Sequence, residues 1–393
     1  MSMSPKVFFL GRPYTVFSDN SKYAFLSYLR QGKNGNALYL TQNQKEHDLM
    51  NNAGLPVVLY NKASPLHRLL EEDDVIVSDC HDWKFEENFW TAARRNRFIN
   101  LWHGVPVKNI GMRQPKYSPN LSFKSAMVWP HAFTNLHAFV STSKYLNETA
   151  WHECFHSKNF PVLGYSRNDI LFREAKPFEL LNTDQSIFQR LQAEKDSGVK
   201  LVIYSPTFRD NGENNLDRLD IDIPKLDSFC RTNGILFCLK VHPLLKIEQR
   251  VRDCTNIVEI DGKSDIYPLL PMFDMMVTDY SSIFLDFLLL DRPVTFHCPD
   301  LASYKADDRG MCLNYDEIAA GRRTTSFAEL LSALDEFAKG TEDEYGAERE
   351  AVKHLVHDHN DGLSGDRFVS YLDTDCSAHN GEGDRTASDT LWD

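Results

Sequence analysis

The chain predicts an α/β fold of two Rossmann-like domains, each a doubly wound parallel sheet, facing one another across a cleft. Three observations carry this. Short apolar runs suited to buried strands alternate with helically spaced segments. The alternation breaks over Ser166–Lys200 and then restarts. Polar clusters recur just beyond the apolar runs, where open parallel sheets bind their ligands.

Lys6–Leu10 (KVFFL) reads as the first strand, stopped by Gly11-Arg12-Pro13 and followed by helical spacing over Ser21–Arg30. Further strands are expected at Ala37–Leu40, Pro56–Tyr60, Val75–Asp79, Phe98–Trp102 and Phe139–Thr142. Helical pieces at His67–Glu72 and Tyr145–Phe155 lie between them. Polar residues and the Phe172–Pro177 stretch then interrupt the pattern. Strands resume at Lys200–Tyr204, Ile235–Val241, Asn256–Ile260, Met275–Thr278 and Pro293–His297, with helices at Lys225–Thr232 and Ile266–Phe273. Helices at Ser326–Phe337 and Glu348–His357 close the second unit. The expected division is an N-terminal domain over 1–165, a linker over 166–198 and a C-terminal domain over 199–372. The acidic, apolar-poor tail 373–393 is expected to be disordered.

Met275–Asp286 (MMVTDYSSIFLD) is the stretch the chain is organised around. An apolar strand breaks at Asp279-Tyr280-Ser281-Ser282 and passes at once into an apolar helix over Ile283–Leu290. Ser281 or Ser282 is expected to cap that helix, leaving free N–H groups and partial positive charge where a phosphate can sit. A capped turn without a ligand is the plain alternative.

Composition narrows the function. The 393 residues are 42% hydrophobic and 25% charged, with a net charge of −13. That balance argues against a general nucleic-acid binder and against strong electrostatic attachment to anionic lipid. There is no apolar run of about 18 residues, the length of a membrane-spanning helix, so a soluble or peripheral chain is expected. The eight cysteines form no CxxC pair, and several sit in strand-like runs, which suits a reducing cytoplasm.

The polar clusters supply the candidate chemistry. They are Trp102-His103-Gly104-Val105-Pro106, Gly164–Asp169, Ser205–Asp210, Lys240-Val241-His242-Pro243 and Asp279–Ser282. Singly, each has a structural reading: a hydrogen-bonded histidine, a proline-ended strand, a surface Arg209–Asp210 pair. Together they offer two imidazoles, an arginine, a serine-rich helix start and a glycine permitting close approach. That set suits a diphosphate ligand with a proton transfer near neutral pH. No GxxxxGK[ST] and no helix-opening GxGxxG occurs, against ATP-type and dinucleotide readings. Asp220-Ile221-Asp222 could hold a metal, but its polar, charge-mixed setting before Pro224 reads better as a solvated turn. No His/Cys/Glu spacing suggests zinc.

These residues resemble the CDP-glycerol glycerophosphotransferase family, which builds teichoic acids and related polyol-phosphate polymers. The matching segments are LWHGVPVKNIG (Leu101–Gly111), GYSRNDIL (Gly164–Leu171), YSPTFRD (Tyr204–Asp210), KVHP (Lys240–Pro243) and VTDYSSIFLDFLLLDRPVTFHCPD (Val277–Asp300), with Arg309–Glu317 following. The resemblance implies a two-domain GT-B fold. It places His103 at the family's catalytic base, and His242, Arg209, Ser281 and Ser282 at positions binding the donor's phosphates. The chain departs where the family often has proline, at Ser166, and at Ala320–Arg323 where a Pro-Gly-Pro-like turn is usual.

The expected activity is transfer of glycerol phosphate, or a related polyol phosphate, from CDP-glycerol or CDP-ribitol to a hydroxyl of a glycan or lipid-linked acceptor, releasing CMP. Candidate catalytic residues are His103 and His242. Candidate substrate-binding residues are Gly104, Arg167, Asp169, Thr207, Arg209, Asp279, Ser281, Ser282 and Asp286. No metal, no cofactor beyond the donor and no nucleic-acid partner is expected. The expected setting is the cytoplasm, free or in peripheral contact with the inner face of the membrane. The rivals are a GT-B nucleotide-sugar glycosyltransferase and a nucleotide-binding or assembly protein without catalysis.

Overall fold

A computed structural model describes residues 6–12, 16–60, 69–80, 96–113, 136–207, 221–240, 249–301 and 310–381. Among these residues all named strands pair in parallel, in two sheets. The first has the order β3-β2-β1-β4-β5-β6-β7: β1 Val7–Leu10, β2 Ala37–Thr41, β3 Val57–Leu59, β4 Val75–Ser78, β5 Arg97–Asn100, β6 Leu136–Phe139 and β7 Ser157–Asn159. The second runs β10-β9-β8-β11-β12-β13: β8 Lys200–Ser205, β9 Ile235–Lys240, β10 Ile257–Ile260, β11 Met275–Thr278, β12 Val294–His297 and β13 Arg322–Thr324. Counted from β8, the second order repeats the first, with the winding direction reversing between its first and fourth strands. That reversal opens a crevice in each sheet.

The inner strands read mostly as apolar runs because both faces are buried, as parallel sheets require. Successive side chains point to opposite faces. Val7 and Phe9 pack with Phe25, Tyr39, Val77 and Ile99, whereas Phe8 and Leu10 pack with Tyr23, Leu40, Ile76 and Phe98. In the second sheet Val202 and Tyr204 join Phe237 and Val277, and Leu201 and Ile203 join Leu236 and Met276. One apolar cluster contains residues of both sheets.

Several elements depart from expectation. The stretch read as a linker holds a helix, Gln185–Asp196, capped by Asp184 on the N–H groups of Ser186 and Ile187 and burying Ile187 and Leu191. Ile266–Phe273 is not a helix: Pro268 and Pro271 each remove an N–H, and only a short 3₁₀ turn at Leu270–Met272 forms. β6 starts three residues earlier than expected, and β7 and β13 are three-residue polar edges without an apolar signal.

The largest correction is at the C-terminus. Helix Ser364–Gly381 continues through the expected boundary at 372 and into the tail expected to be disordered. It also belongs with the first sheet, where Phe368, Val369 and Leu372 are buried. Asp169 starts it, accepting from Ser364 N and Gly365 N at 2.8 Å each. Asp375 ends the docking, pairing with Arg97 at 2.9 Å and His137 at 2.7 Å. A few apolar residues at helical spacing, plus two buried charge partners, order a segment that composition alone marks as acidic. Residues 382–393 lie outside the described set.

Candidate active site between the two sheets

The β5 strand delivers the first functional side chain. Its last residue, Asn100, accepts a hydrogen bond from Trp102 N at 2.8 Å, holding a tight turn in which Trp102 takes φ +52°. The Trp102 ring is fixed against Phe139, Trp151 and Phe155, and His103 stacks on it with ring centroids 4.3 Å apart. His103 Nδ1 lies 2.9 Å from the carbonyl oxygen of Asp79, at the end of β4. A carbonyl only accepts, so Nδ1 carries the hydrogen and Nε2 keeps its lone pair. Burial, then the charge of Arg12, pushes the imidazole down to about 3. His103 is therefore neutral, oriented and available as a proton acceptor.

Gly104 follows with φ +148°, and a Cβ there would sit 3.0 Å from Ser282 Oγ and 3.4 Å from an Arg167 nitrogen. The close approach read from sequence is thus between the two halves of the chain. A cavity of about 540 Å³ lies at this junction. Arg12, His103 and Gly104 line it from the first half, and Thr207, Lys240, Ser281 and Ser282 from the second.

On the second side, Asp279 is the organiser. Its Oδ1 accepts from Thr207 N at 2.8 Å, Thr207 Oγ1 at 2.6 Å and Tyr280 N at 2.6 Å, tying the ends of β8 and β11 together. Ser282 occupies the cap position of the short helix Ile283–Phe287, but its side chain makes no capping bond. Of the two serines expected as caps, Ser282 therefore does not serve, because it has helical dihedrals (φ −66°, ψ −13°) instead of extended ones. Lys240 Nζ is held by the carbonyls of Asp261 and Ser264, and burial pulls it down to about 8.

Three candidates stand behind the cavity wall. Arg167 is buried, with Nη1 2.5 Å from Asp19 Oδ1 and 2.9 Å from the His103 carbonyl, and Nη2 2.6 Å from Asp286 Oδ2. Asp286 also accepts from Asn168 Nδ2 at 2.9 Å and Tyr267 OH at 2.7 Å. Asp169 is committed to the C-terminal helix. These groups join the His103 loop to the second sheet; among the described residues they do not line the cavity. Nearby, the buried Lys22 Nζ pairs with Asp265 at 2.7 Å, a second ionic link between the halves.

His242 and Arg209 lie outside the described residues, as does Asp220. Asp222 caps helix Ile223–Thr232, its Oδ1 accepting from Lys225 N at 3.0 Å, which is the turn role expected for it. Among the described residues no group of three or more His, Cys, Asp or Glu side chains could hold a metal ion. Sequence reading passed over Arg12, taken only as the end of β1, and did not single out Lys240. Both stand at the carboxyl ends of strands, which is the signal that could have found them.

The chain has counterparts among known proteins. A family model described as CDP-glycerol:poly(glycerophosphate) glycerophosphotransferase matches residues 4–373. The teichoic acid poly(glycerol phosphate) polymerase of Bacillus spizizenii is 27% identical over 273 residues, 65% of each chain. The chain spans 32% of the length of the corresponding Bacillus subtilis polymerase. A teichoic acid glycerol-phosphate transferase of Staphylococcus aureus is 25% identical over 351 residues, 84% of this chain and 83% of that one. In fold, the chain resembles the solved wall teichoic acid polymerase TagF, with a TM-score of 0.75 at 20% identity over 96% of this chain and 90% of that one. A match over nearly the whole length, on top of the paired sheets and the motifs beside the cavity, leaves one assignment: the chain belongs to the CDP-glycerol:poly(glycerophosphate) glycerophosphotransferase family.

Proposed function

We propose that the protein transfers glycerol phosphate, or a related polyol phosphate, from a CDP-polyol to a hydroxyl of a teichoic-acid-type acceptor and releases CMP. The observation that carries this reading is the pinned, neutral His103 on the cavity wall facing the Ser281–Ser282 turn. The acceptor hydroxyl loses its proton to His103 Nε2 as its oxygen bonds to the β-phosphorus. The bond from that phosphorus to the bridging oxygen breaks, and CMP leaves with the electron pair. Charge on the phosphoryl oxygens meets Thr207, Ser281, Ser282 and Lys240, with His242 and Arg209 expected beside them from the family resemblance.

In this reading the two sheets are the halves of a GT-B enzyme. The donor sits on the second and the acceptor enters from the first, and cationic side chains serve where other transferases use a metal. Similarity to both glycerol-phosphate and ribitol-phosphate polymerases supports CDP-glycerol or CDP-ribitol as donor. No helix among the described residues is long and apolar enough to cross a membrane. We place the enzyme on the cytoplasmic side, in peripheral contact with the membrane that carries a lipid-linked acceptor. The test is the fate of CDP-glycerol labelled at the β-phosphorus. Label in the acceptor product with unlabelled CMP supports attack at phosphorus. Label recovered in CDP means attack at carbon, the sugar-transferase reading.

A further inference from the structure

We propose that Cys154 and Cys312 form an oxidisable pair, a modification site at which a peroxide installs a disulfide that staples the two halves of the chain behind the His103 loop and slows transfer. The two thiols lie 158 positions apart in sequence yet close enough to influence one another: Arg113 reaches Cys312 Sγ at 3.3 Å and Glu153, the neighbour of Cys154, at 3.3 Å, and both thiols are buried and free. Cys154 ends the helical stretch 144–154 of the first half. Cys312 lies on a segment of the second half that crosses to the first. Gly310 O accepts from Asn109 N at 3.0 Å, Met311 bridges Lys108, and Cys312 N donates to Val107 O at 2.9 Å.

The loop between these contacts is the continuation of His103–Gly104. Val105, Val107, Lys108 and Ile110 line the cavity, so the front of the loop faces the reaction and its back faces the thiols. Packing at the back is tight. Gly111 has φ +58°, and a Cβ there would sit 2.3 Å from the Cys154 carbonyl. In the reduced pair the crossing segment is held to the loop by the hydrogen bonds named above. A disulfide ties it there covalently, and because opening and closing steps set turnover in many enzymes, the staple is proposed to slow exchange of donor and CMP.

The pair is chemically asymmetric. Arg113 Nη1 lies 3.3 Å from Cys312 Sγ and donates to it. The Cys154 S–H contact, followed by the Arg113 charge working against burial, holds the Cys312 thiol below its ordinary value. The same contact and burial hold the Cys154 thiol up. Cys312 is therefore the attacking thiolate. Its sulfur bonds to one peroxide oxygen, the O–O bond breaks, and hydroxide leaves to be protonated, giving a sulfenic acid. Cys154 sulfur then attacks Cys312 sulfur, the S–O bond breaks, and water leaves with the Cys154 proton. Two thiols are oxidised to one disulfide, and one peroxide is reduced to two waters.

The test is titration of the reduced full chain with hydrogen peroxide, followed by non-reducing peptide mapping and transfer assays. The expected result is a joined pair of peptides containing Cys154 and Cys312, lighter by two hydrogens. Cys230 and Cys298, whose thiols burial holds up at about 12, stay reduced. The transfer rate falls with formation of that species and returns with dithiothreitol, whereas Cys154→Ala and Cys312→Ala form no joined peptides. The proposal is overturned if Cys312 proceeds to sulfinic or sulfonic acid while Cys154 remains alkylatable. It is equally overturned if the parent and Cys154→Ala lose the same activity at the same dose. Mapping needs no substrate, so a reduced protein that transfers nothing would refute the proposed function and leave the mapping decisive.

Discussion

The two crevices of this molecule share a topology and differ in what fills them. In the first sheet the crevice between β1 and β4 holds an ion pair, Arg12 after β1 with Asp19 at the next helix start, beside Asp79 after β4, whose carboxyl burial pushes up to about 7. Asp19 divides its carboxylate between Arg12 at 3.0 Å and Arg167 at 2.5 Å. On the second sheet's side hydroxyls of Thr207, Ser281 and Ser282 line the cavity with Lys240 beside them, and the buried carboxylate of Asp279 fixes Thr207 and Tyr280. The same strand order therefore suits two tasks in the proposed reaction. The first crevice orients His103, whose affinity for a proton is held down by burial, then by Arg12 working against Asp19. In that reading the other presents hydroxyls to the donor's phosphates.

Replacing the base is expected to have the largest effect. His103→Ala should lower turnover roughly 10²–10⁴-fold, the range for a lost general base, and leave calorimetric CDP-glycerol affinity within a few-fold. Near-normal turnover in the purified variant would move the base elsewhere. Arg167→Ala should cost about 3–5 kcal/mol of stability, because it strands two buried carboxylates, Asp19 and Asp286. Chemical denaturation measures this. A loss of donor affinity without a loss of stability would return Arg167 to the ligand-binding role expected from sequence.

A smaller effect is expected where the two crevices meet. Gly104→Ala places a Cβ 3.0 Å from Ser282 Oγ at a backbone φ of +148°. Strained backbone of this kind costs about 1–3 kcal/mol, and the loop should shift away from Ser282 to relieve it. Turnover should fall with only a modest drop in melting temperature. If Gly104→Ala keeps full turnover, the contact between His103 loop and serine turn is not part of the working geometry.

Much of this comparison is legible in the sequence, for reasons particular residues make plain. Strands buried on both faces read as apolar runs, so the alternation reveals both sheets. His103, Gly104, Thr207, Ser281 and Ser282 follow such runs directly, and the structure places all five on the cavity. Arg167, Asp169 and Asp286 follow the same logic yet stand behind the wall, because adjacency to a strand end cannot tell a ligand from a buried partner. Arg167's two carboxylates are 148 and 119 residues away, beyond any local pattern. Asp169's partners are the backbone N–H groups of a helix nearly 200 residues on, whose later residues read as an acidic tail.

The finest distinction between the crevices is electrostatic, and pH reads it. With His103 held down to about 3, the free enzyme keeps a neutral imidazole through the ordinary range. The acid limb of kcat/KM, which reports the free enzyme, should therefore not fall near the ordinary histidine value. Bound CDP-glycerol brings two negative charges against the second crevice and favours the imidazolium, so the acid limb of kcat should lie at higher pH than that of kcat/KM. Removing the Arg12 charge in Arg12→Gln favours the imidazolium in the free enzyme as well, and should move the kcat/KM limb upward. The stability sign follows separately. Below about 6.5 the unfolded chain protonates this histidine while the folded chain does not. Folding is thus progressively penalised as pH falls from there toward 3, and His103→Gln should lose less stability than the parent over that window. A kcat/KM limb at the ordinary histidine value, unmoved in Arg12→Gln, would mean that the charged crevice orients the base without tuning it.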